Sequence, residues 1–208
     1  RVNRWLGGTG AVLQHFRRWS ERWRPGERIT VLDVATGSAD IPLAVRRWGT
    51  RAGFDVRIIG VDLHETTLRL ARAHVATRRD GAITLARGDA LALPFADAAS
   101  GGGVDYAICS MFFHHLSDEA VLQALRDMAG VARRGVRVND LVRGPFARVG
   151  IRAITLWADP VDKHDARVSV AKAWRRREVE AWAAEVGAPW LRYRAHWASR
   201  FTLAGEKI

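Results

Sequence analysis

Several features that mark whole classes of protein are missing from this sequence or scarce in it. Cys109 is the single cysteine in 208 residues, which excludes an intrachain disulfide and predicts a buried, reduced thiol. That cysteine usage favours a cytoplasmic location. No apolar run approaches the roughly 20 residues that a helix needs to cross a bilayer, so we expect no membrane span.

Metal-binding spacings are lacking as well. The seven histidines include no H-x3-H pair, and a single cysteine cannot form C-x2-C. These are the spacings with which short motifs hold zinc and similar ions. No metal is therefore predicted.

Acidic residues are outnumbered, because 33 Lys and Arg against 22 Asp and Glu give a formal net charge of +11. Such an excess can indicate a polyanionic partner such as RNA. Nearly all of it is arginine, spread through short segments with no lysine-rich tail and no long basic block. Solvated helix faces explain this distribution at least as well, so nucleic acid is the less favoured partner.

From about residue 29 to residue 141, short β-branched runs alternate with segments of helical periodicity. Strands are predicted over 29–34, 56–62, 83–89, 104–111 and 135–141, with helices over 41–48, over 66–79 and after Ser117. The last helix has a predicted buried stripe of Val121, Leu122, Leu125, Met128 and Ala132. This βαβα order implies an α/β fold with a mainly parallel sheet and helices on both faces.

Two segments lie outside this alternation. Residues 1–28, rich in Trp and Arg, are predicted to form a helical lid or cover on a single domain that runs from 29 to 208. After Leu141 the pattern predicts a helix over 142–157, a loop, a helix over 176–187 and strands over 190–197 and 200–203. In the second of these helices, Trp182 has the helical spacing that is typical of core.

The stretch "VLDVATGSAD" (31–40) ends the first strand with a turn of small residues. It lacks the G-x-G-x-x-G with which dinucleotide folds bring backbone amides to a pyrophosphate, because Gly37 is its one glycine. It carries Asp33 and Asp40 instead. Carboxylates at this position suit a ligand with an ammonium or sulfonium group better than one with phosphates.

Two further carboxylates follow the next strands. Asp62 closes the second strand, where it is placed to accept both hydroxyls of a ribose, and Asp89 follows the third, where it could accept from an exocyclic amine. Taken singly, each would more often be a helix cap or a turn residue. Together and in this order, they describe a site for a cationic amino-acid nucleoside.

At these residues the sequence resembles the class I S-adenosylmethionine-dependent methyltransferases. Their four motifs are matched in order by "VLDVATGSAD", "IIGVDL", "RGDALALPF" and "VDYAICSMFFHHLSD", within residues 29–141. The resemblance is closest to the methyltransferases of ubiquinone and menaquinone biosynthesis, and the C-terminal part is similar to small bacterial methyltransferases found with secondary-metabolite genes. It implies a Rossmann-like, doubly wound, seven-stranded sheet with an antiparallel C-terminal strand.

The resemblance implies S-adenosylmethionine as the cofactor and S-adenosylhomocysteine as its product. The residues that it places at the cofactor are Asp33, Ala35, Thr36, Gly37, Asp40, Asp62, Leu63, Asp89, Ala90 and Ser110. Asp62 is expected at the ribose, Leu63 and Asp89 at the adenine, and Ser110 beside the methionine portion. Family members usually have glycine where this chain has Ala35 or Ala39, so crowding of the methionine end is expected at Ala39.

Methyl transfer from a sulfonium is an in-line displacement, so much of the catalysis can come from holding the nucleophile on the S–CH3 axis. A phenol, with a pKa of about 10, would gain from a histidine within hydrogen-bond reach. The candidates are His114, His115 and the pair His164 and Asp165. For His114 and His115 in "HHL", the alternative to catalysis is a packing and capping role. For His164 and Asp165, the alternative is that both side chains are simply exposed to solvent.

The sequence therefore predicts methyl transfer to a small-molecule acceptor, with O-methylation of a phenolic, polyketide-like or quinone-like compound favoured. The acceptor pocket is expected to include an insertion over about 142–175, and Asn139 and Asp140 could touch the substrate or cap a helix. C-methylation of an aromatic or quinone precursor is the near alternative. Two further alternatives are an RNA methyltransferase and a catalytically degenerate cofactor-binding module. The first lacks support, because the sequence has no "NPPY"-type motif. Monomer and homodimer both stay open.

Overall fold

The computed structural model describes residues 8–78, 81–95, 97–142, 174–196 and 200–207. Seven strands in these ranges form one sheet. They are β1 (Arg28–Val34), β2 (Asp55–Asp62), β3 (Ile83–Arg87), β4 (Val104–Ser110), β5 (Ala132–Leu141), β6 (Arg192–His196) and β7 (Arg200–Glu206).

The order of strands across the sheet is β3-β2-β1-β4-β5-β7-β6. All neighbouring pairs are parallel except those of β7, which runs antiparallel to both β5 and β6. The chain order reverses direction between β1 and β4, which is the switch point at which open α/β sheets bind ligands. The predicted mainly parallel sheet with an antiparallel C-terminal strand is confirmed.

Five α-helices surround the sheet within the described ranges. They are α1 (Gly8–Ser20), α2 (Asp40–Arg51), α3 (Glu65–Ala76), α4 (Asp118–Val131) and α5 (Arg176–Glu185). The predicted cap of α4 is present, because the Ala120 N–H donates to the Ser117 hydroxyl over 3.3 Å. No helix in these ranges is long and apolar enough to cross a bilayer.

The helices cover both faces of the sheet and bury two apolar clusters. Residues of α1, α2 and α3 pack on one face, and residues of α4 and α5 pack on the other. The first helix and the turn after it are fixed by aromatic contacts: Trp19 stacks on Tyr106 of β4 with a centroid distance of 4.7 Å, and the Trp23 indole, three residues after the helix, donates to the Tyr106 hydroxyl over 2.8 Å. Trp19 and Trp23 thus pack against β4.

Two details of the helix and strand predictions need correction. Val121, Leu125 and Met128 form the buried stripe of α4, whereas Leu122 is half-buried and Ala132 is the first residue of β5. The last strand was predicted over four residues, but it extends to Glu206 because its later residues continue the ladder with β5. Nearly all of the predicted helix over 142–157, and of the insertion over 142–175, lies outside the described residues.

Candidate functional site

A cleft of about 540 Å³ opens at the carboxyl ends of β1 to β4. Open α/β sheets bind ligands at this edge, and a cleft of this volume is large enough for a small molecule. The residues that line it are Ala35, Asp62, Leu63, His64, Gly88, Asp89, Ala90, Leu91, Phe112, His115 and Leu116. The carboxylates predicted at the ends of β2 and β3 therefore meet in one cavity.

The turn after β1 is held together from beneath. The Thr36 hydroxyl donates to the Asp33 carboxylate over 2.7 Å, and the Thr36 N–H donates to the Val61 carbonyl over 2.9 Å. Gly60 leaves the necessary space, because a Cβ at that position would lie 2.8 Å from the Thr36 hydroxyl oxygen. Asp33 and Thr36 are both buried, so they support the turn and do not line the cleft.

The Asp33 carboxyl group has an altered proton affinity. Burial disfavours its charged form and raises its pKa from 3.8 to about 7, and the nearby Asp62 carboxylate raises it further. The hydrogen bond from Thr36 and the positive charge of Arg137 act in the opposite direction. The carboxyl group under the turn therefore retains its proton to a much higher pH than an ordinary aspartate does.

Asp62 joins the turn to the end of β2. One carboxylate oxygen accepts from the Gly37 N–H and the other from the His64 N–H, both over 3.0 Å. A carboxylate oxygen can accept more than one hydrogen bond, so each keeps acceptor capacity for a ligand. The bond to Gly37 also ties the shape of the turn to this carboxylate.

Two alanines in the turn have backbone conformations that favour glycine. Ala35 has φ 56° and Ala39 has φ 61°, both in the left-handed region. Ala35 lines the cleft, whereas Ala39 is fully buried in the apolar cluster beneath α1 and α2. The predicted departures from glycine thus fall where the backbone is strained, and the residue at the cleft wall is Ala35.

The end of β3 provides apolar and acidic surface. Asp89 is exposed and accepts from the Leu91 N–H over 2.9 Å. Leu63 and Leu91 line the cleft with 48% and 36% of their surfaces exposed. Exposed leucines beside a carboxylate suit a flat heterocycle that carries an amine. Leu63 is one of the predicted cofactor residues, whereas Leu91 is not predicted, because no motif distinguishes it from the apolar residues around it.

Asp40 and Ser110, also predicted at the cofactor, are not among the residues that line the cleft. Asp40 begins α2, where it accepts from the Ser38 hydroxyl over 2.8 Å. Ser110 ends β4 beside Asn139 of β5. The Ser110 hydroxyl and both amide atoms of Asn139 are buried, and within the described part of the chain they have no hydrogen-bond partner.

His114 and His115 occupy a short 3-10 turn after β4 and have different surroundings. His114 is buried, and its Nδ1 lies 2.7 Å from an Asp140 carboxylate oxygen. That carboxylate also accepts from the backbone N–H groups of Phe112, His114 and Leu141. His114 is thus part of the hydrogen-bond network that fixes the 3-10 turn to the end of β5.

His115 is exposed and lines the cleft, with its ring centroid 4.0 Å from that of His114. Of the two adjacent histidines it is the one that can reach a ligand in the cleft. Phe112 and Leu116 line the same side. His164 and Asp165, the other predicted catalytic pair, lie outside the described residues.

Comparisons with known proteins agree with this geometry. A family model described as a methyltransferase domain matches residues 31–135. The chain is 30% identical over 109 residues to demethylmenaquinone methyltransferase of Shouchella clausii, covering 52% of this chain and 43% of that protein. It is 28% identical over 130 residues to the enzyme of the same name from Halalkalibacterium halodurans, covering 61% and 49%. The chain thus matches less than half the length of these curated relatives.

A solved structure shows the same fold at low sequence identity. Magnesium protoporphyrin IX methyltransferase of Synechocystis PCC 6803, determined with bound S-adenosylhomocysteine, aligns with a TM-score of 0.65 and 15% identity. The alignment covers 98% of this chain and 84% of that one. At such identity the likeness concerns the fold alone.

Proposed function

Because this chain belongs to the class I S-adenosylmethionine-dependent methyltransferases, matching the methyltransferase domain over residues 31–135, we propose that it transfers a methyl group to a small-molecule acceptor. The favoured reaction is O-methylation of a phenolic, polyketide-like or quinone-like compound. The observation that carries the proposal is the cleft in which Asp62, Asp89 and His115 meet. It combines acceptors for a nucleoside with a histidine in reach of a second ligand.

The residues at the cleft fit the cofactor. Asp62 keeps acceptor capacity for ribose hydroxyls, and Asp89 can accept from the adenine amine between the exposed side chains of Leu63 and Leu91. The backbone of Ala35 borders the same space. When bound, S-adenosylmethionine supplies an electrophilic methyl group on a sulfonium centre. The carboxylates of the cleft are suited to the positive charge of that molecule.

The proposed role of His115 is that of a general base. A phenolic hydroxyl is largely protonated at neutral pH, and its oxygen becomes a good nucleophile when the proton leaves. An imidazole that faces the cleft can accept that proton. His114 would act as a positioning residue, because its bond to Asp140 fixes the turn that carries His115.

The test is transfer of labelled methyl from S-adenosylmethionine into two pools, one of small phenols and quinones and the other of total RNA. We expect label in the first pool. Label in RNA alone would contradict the small-molecule proposal and assign a role to the +11 charge. Label in neither, with S-adenosylhomocysteine bound, would favour a catalytically degenerate cofactor-binding module.

Transfer to a ring carbon of a quinone-like acceptor is the second candidate. The similarity to two demethylmenaquinone methyltransferases favours it. The two reactions give products that differ chemically, because an O-methyl product loses its acidic hydroxyl and a C-methyl product retains it. Mass spectrometry combined with proton NMR of the labelled product distinguishes them.

A further inference from the structure

A group of buried polar side chains lies on β5 and β7, on the face of the sheet that α1 covers, and none of them is among the residues that line the cleft. Arg137 is fully buried, and Arg200 and Asn139 are at least 96% buried. Both terminal nitrogens of Arg137, one terminal nitrogen of Arg200 and both amide atoms of Asn139 lack a hydrogen-bond partner in the described part of the chain. Buried polar atoms without partners are rare in folded proteins, so a group of five such atoms requires an explanation.

Strand register places this group at the level of the cofactor turn. Asp33, Ile108 and Arg137 lie side by side on β1, β4 and β5. One step closer to the carboxyl edge, Ser110 lies beside Asn139, which in turn lies beside Thr202 of β7. Ala35 follows Val34, the partner of Cys109, and is therefore level with Ser110. Ala35, Ser110, Asn139 and Thr202 therefore lie side by side across the sheet, and this row joins Ala35 of the cleft wall to Asn139 of the buried group.

Arg200 completes the group from β7. It pairs with Leu141, two residues beyond Asn139 on the same face of the sheet. The pKa of Arg137 is lowered to about 9, with burial as the largest cause. The positive charge of Arg200 is close enough to lower that pKa further. Two guanidinium groups have therefore been buried close to one another without hydrogen bonds to most of their terminal nitrogens.

The chain supplies no free anion for these donors within the described residues. Asp33, the carboxylate in the same row, accepts from Thr36, and burial raises its pKa to about 7. Asp140 is close enough for its charge to raise the pKa of Arg200, although burial lowers that pKa by more, but Asp140 lies on the opposite face and already accepts four hydrogen bonds. His15 of α1 accepts from Arg137 Nε at its Nδ1 atom over 3.4 Å, and it is neutral at physiological pH because burial lowers its pKa to about 4.

We propose that Arg137, with Arg200 and Asn139, forms a binding pocket for the carboxylate of a ligand that occupies the cleft. A guanidinium group presents parallel N–H donors that match the two oxygens of a carboxylate. The proposal rests on the proposed function, because the ligand is one of the two reactants. The carboxylate has two possible sources: the acceptor, which would then be an aromatic or polyketide-like acid, and the methionine portion of the cofactor.

The test is calorimetric titration of the wild-type chain, Arg137→Met and the control Arg126→Met. Arg126 is an exposed arginine of α4, on the opposite face of the sheet. One arm compares S-adenosylhomocysteine with 5′-methylthioadenosine, which lacks the amino-acid portion. The other compares benzoate with phenol in protein saturated with S-adenosylhomocysteine. Methionine at position 137 removes the charge and retains an unbranched side chain.

If the acceptor is the source, Arg137→Met weakens benzoate binding about tenfold or more and leaves phenol binding unchanged, because a charge-assisted hydrogen-bond pair is lost. If the cofactor is the source, the same variant weakens binding of S-adenosylhomocysteine and leaves 5′-methylthioadenosine unaffected. Arg126→Met should change neither comparison. Wild-type affinities for all four compounds in Arg137→Met would overturn the proposal.

A second variant guards against a folding defect. Arg137→Lys keeps the charge but loses the forked donors, so it should show an intermediate loss of carboxylate binding. Thermal melting without ligand shows whether each variant is folded, and we expect Arg137→Met to melt no lower than the wild type. Carboxylate binding without any methyl transfer would contradict the proposed function and leave this pocket standing.

Discussion

The Nδ1 atom of His114 lies 2.7 Å from a carboxylate oxygen of Asp140, and both side chains are buried. Nδ1 must carry its proton to donate to a carboxylate, which fixes the tautomer of the ring. The same carboxylate accepts from the backbone of the turn that carries His115. Two adjacent histidines are thus divided between a buried structural position and an exposed position in the cleft.

This division predicts different consequences for the two histidines. His115→Gln should lower kcat for a phenolic acceptor by roughly 10²–10⁴, the usual contribution of a general base, with cofactor affinity unchanged. The loss of rate at low pH should disappear with it, because no imidazole remains to be protonated. Steady-state kinetics across pH 5 to 9 and titration with S-adenosylhomocysteine provide both measurements. An unchanged pH profile in this variant would remove His115 from catalysis.

His114→Gln should act through stability instead. The buried Asp140 carboxylate would lose one donor, which we expect to lower the free energy of unfolding by about 1–3 kcal/mol. Urea denaturation measures this loss, and His115→Gln is the matched control because its side chain is exposed. Equal stability of the two variants would show that the bond to Asp140 contributes little.

Much of the cleft could be predicted from the sequence because its residues follow strands. Asp62 ends an apolar, β-branched run typical of a strand, Asp89 follows the next such run after Arg87 and Gly88, and the carboxyl ends of parallel strands meet at one edge. The roles of His114 and His115 could not be separated, because a 3-10 turn sets their directions and neither residue carries a signal for it. Leu91 was missed for a similar reason, since its exposure depends on how the chain turns after β3.

The buried arginines could not be predicted from the sequence. In a β-strand, alternation suggests that Arg137 points to solvent while Val136 and Val138 point to the core. Here both faces of the sheet are covered, so Arg137 is buried beneath α1. The sequence predicts helices on both faces, but which strand residues the N-terminal helix covers depends on contacts between residues far apart in the chain, such as Trp19 and Tyr106.

Asp62 offers a direct test of the cofactor site. Asp62→Asn replaces one acceptor oxygen with an amide group that cannot accept from the Gly37 or His64 N–H. We expect affinity for S-adenosylhomocysteine to fall by about 10- to 100-fold, the equivalent of one or two charged hydrogen bonds. Asp127→Asn in α4 is the control, because Asp127 bonds to Gln123 of the same helix. Retained affinity in Asp62→Asn would show that the nucleoside binds elsewhere.

Strain in the cofactor turn is measurable at Ala35. Ala35→Gly should raise the free energy of unfolding by about 0.5–1 kcal/mol, because a left-handed conformation costs a residue with a Cβ more than it costs glycine. Ala73→Gly in α3 is the opposite case: its position is helical and exposed, and glycine there should lower stability by about 1 kcal/mol. Thermal melting of both variants checks the pair, and destabilisation by Ala35→Gly would show that the turn is not strained.

The raised pKa of Asp33 makes stability depend on pH. In the unfolded chain this carboxyl ionises near pH 3.8, whereas in the folded chain it retains its proton up to about pH 7. The folded state therefore binds more protons between these values, so this group reduces stability as pH rises from about 4 to 7.

Asp33→Asn abolishes that titration while its amide oxygen can still accept from Thr36. The variant should gain stability relative to the wild type as pH increases, by at most about 4 kcal/mol between pH 4 and pH 8. Urea unfolding at those two pH values measures the change in the difference between the proteins, so a constant offset from the substitution cancels. If the difference in stability between the two proteins does not vary with pH, Asp33 is ionised in the folded chain throughout this range. Arg137 would then have a negatively charged group in the same row of the sheet.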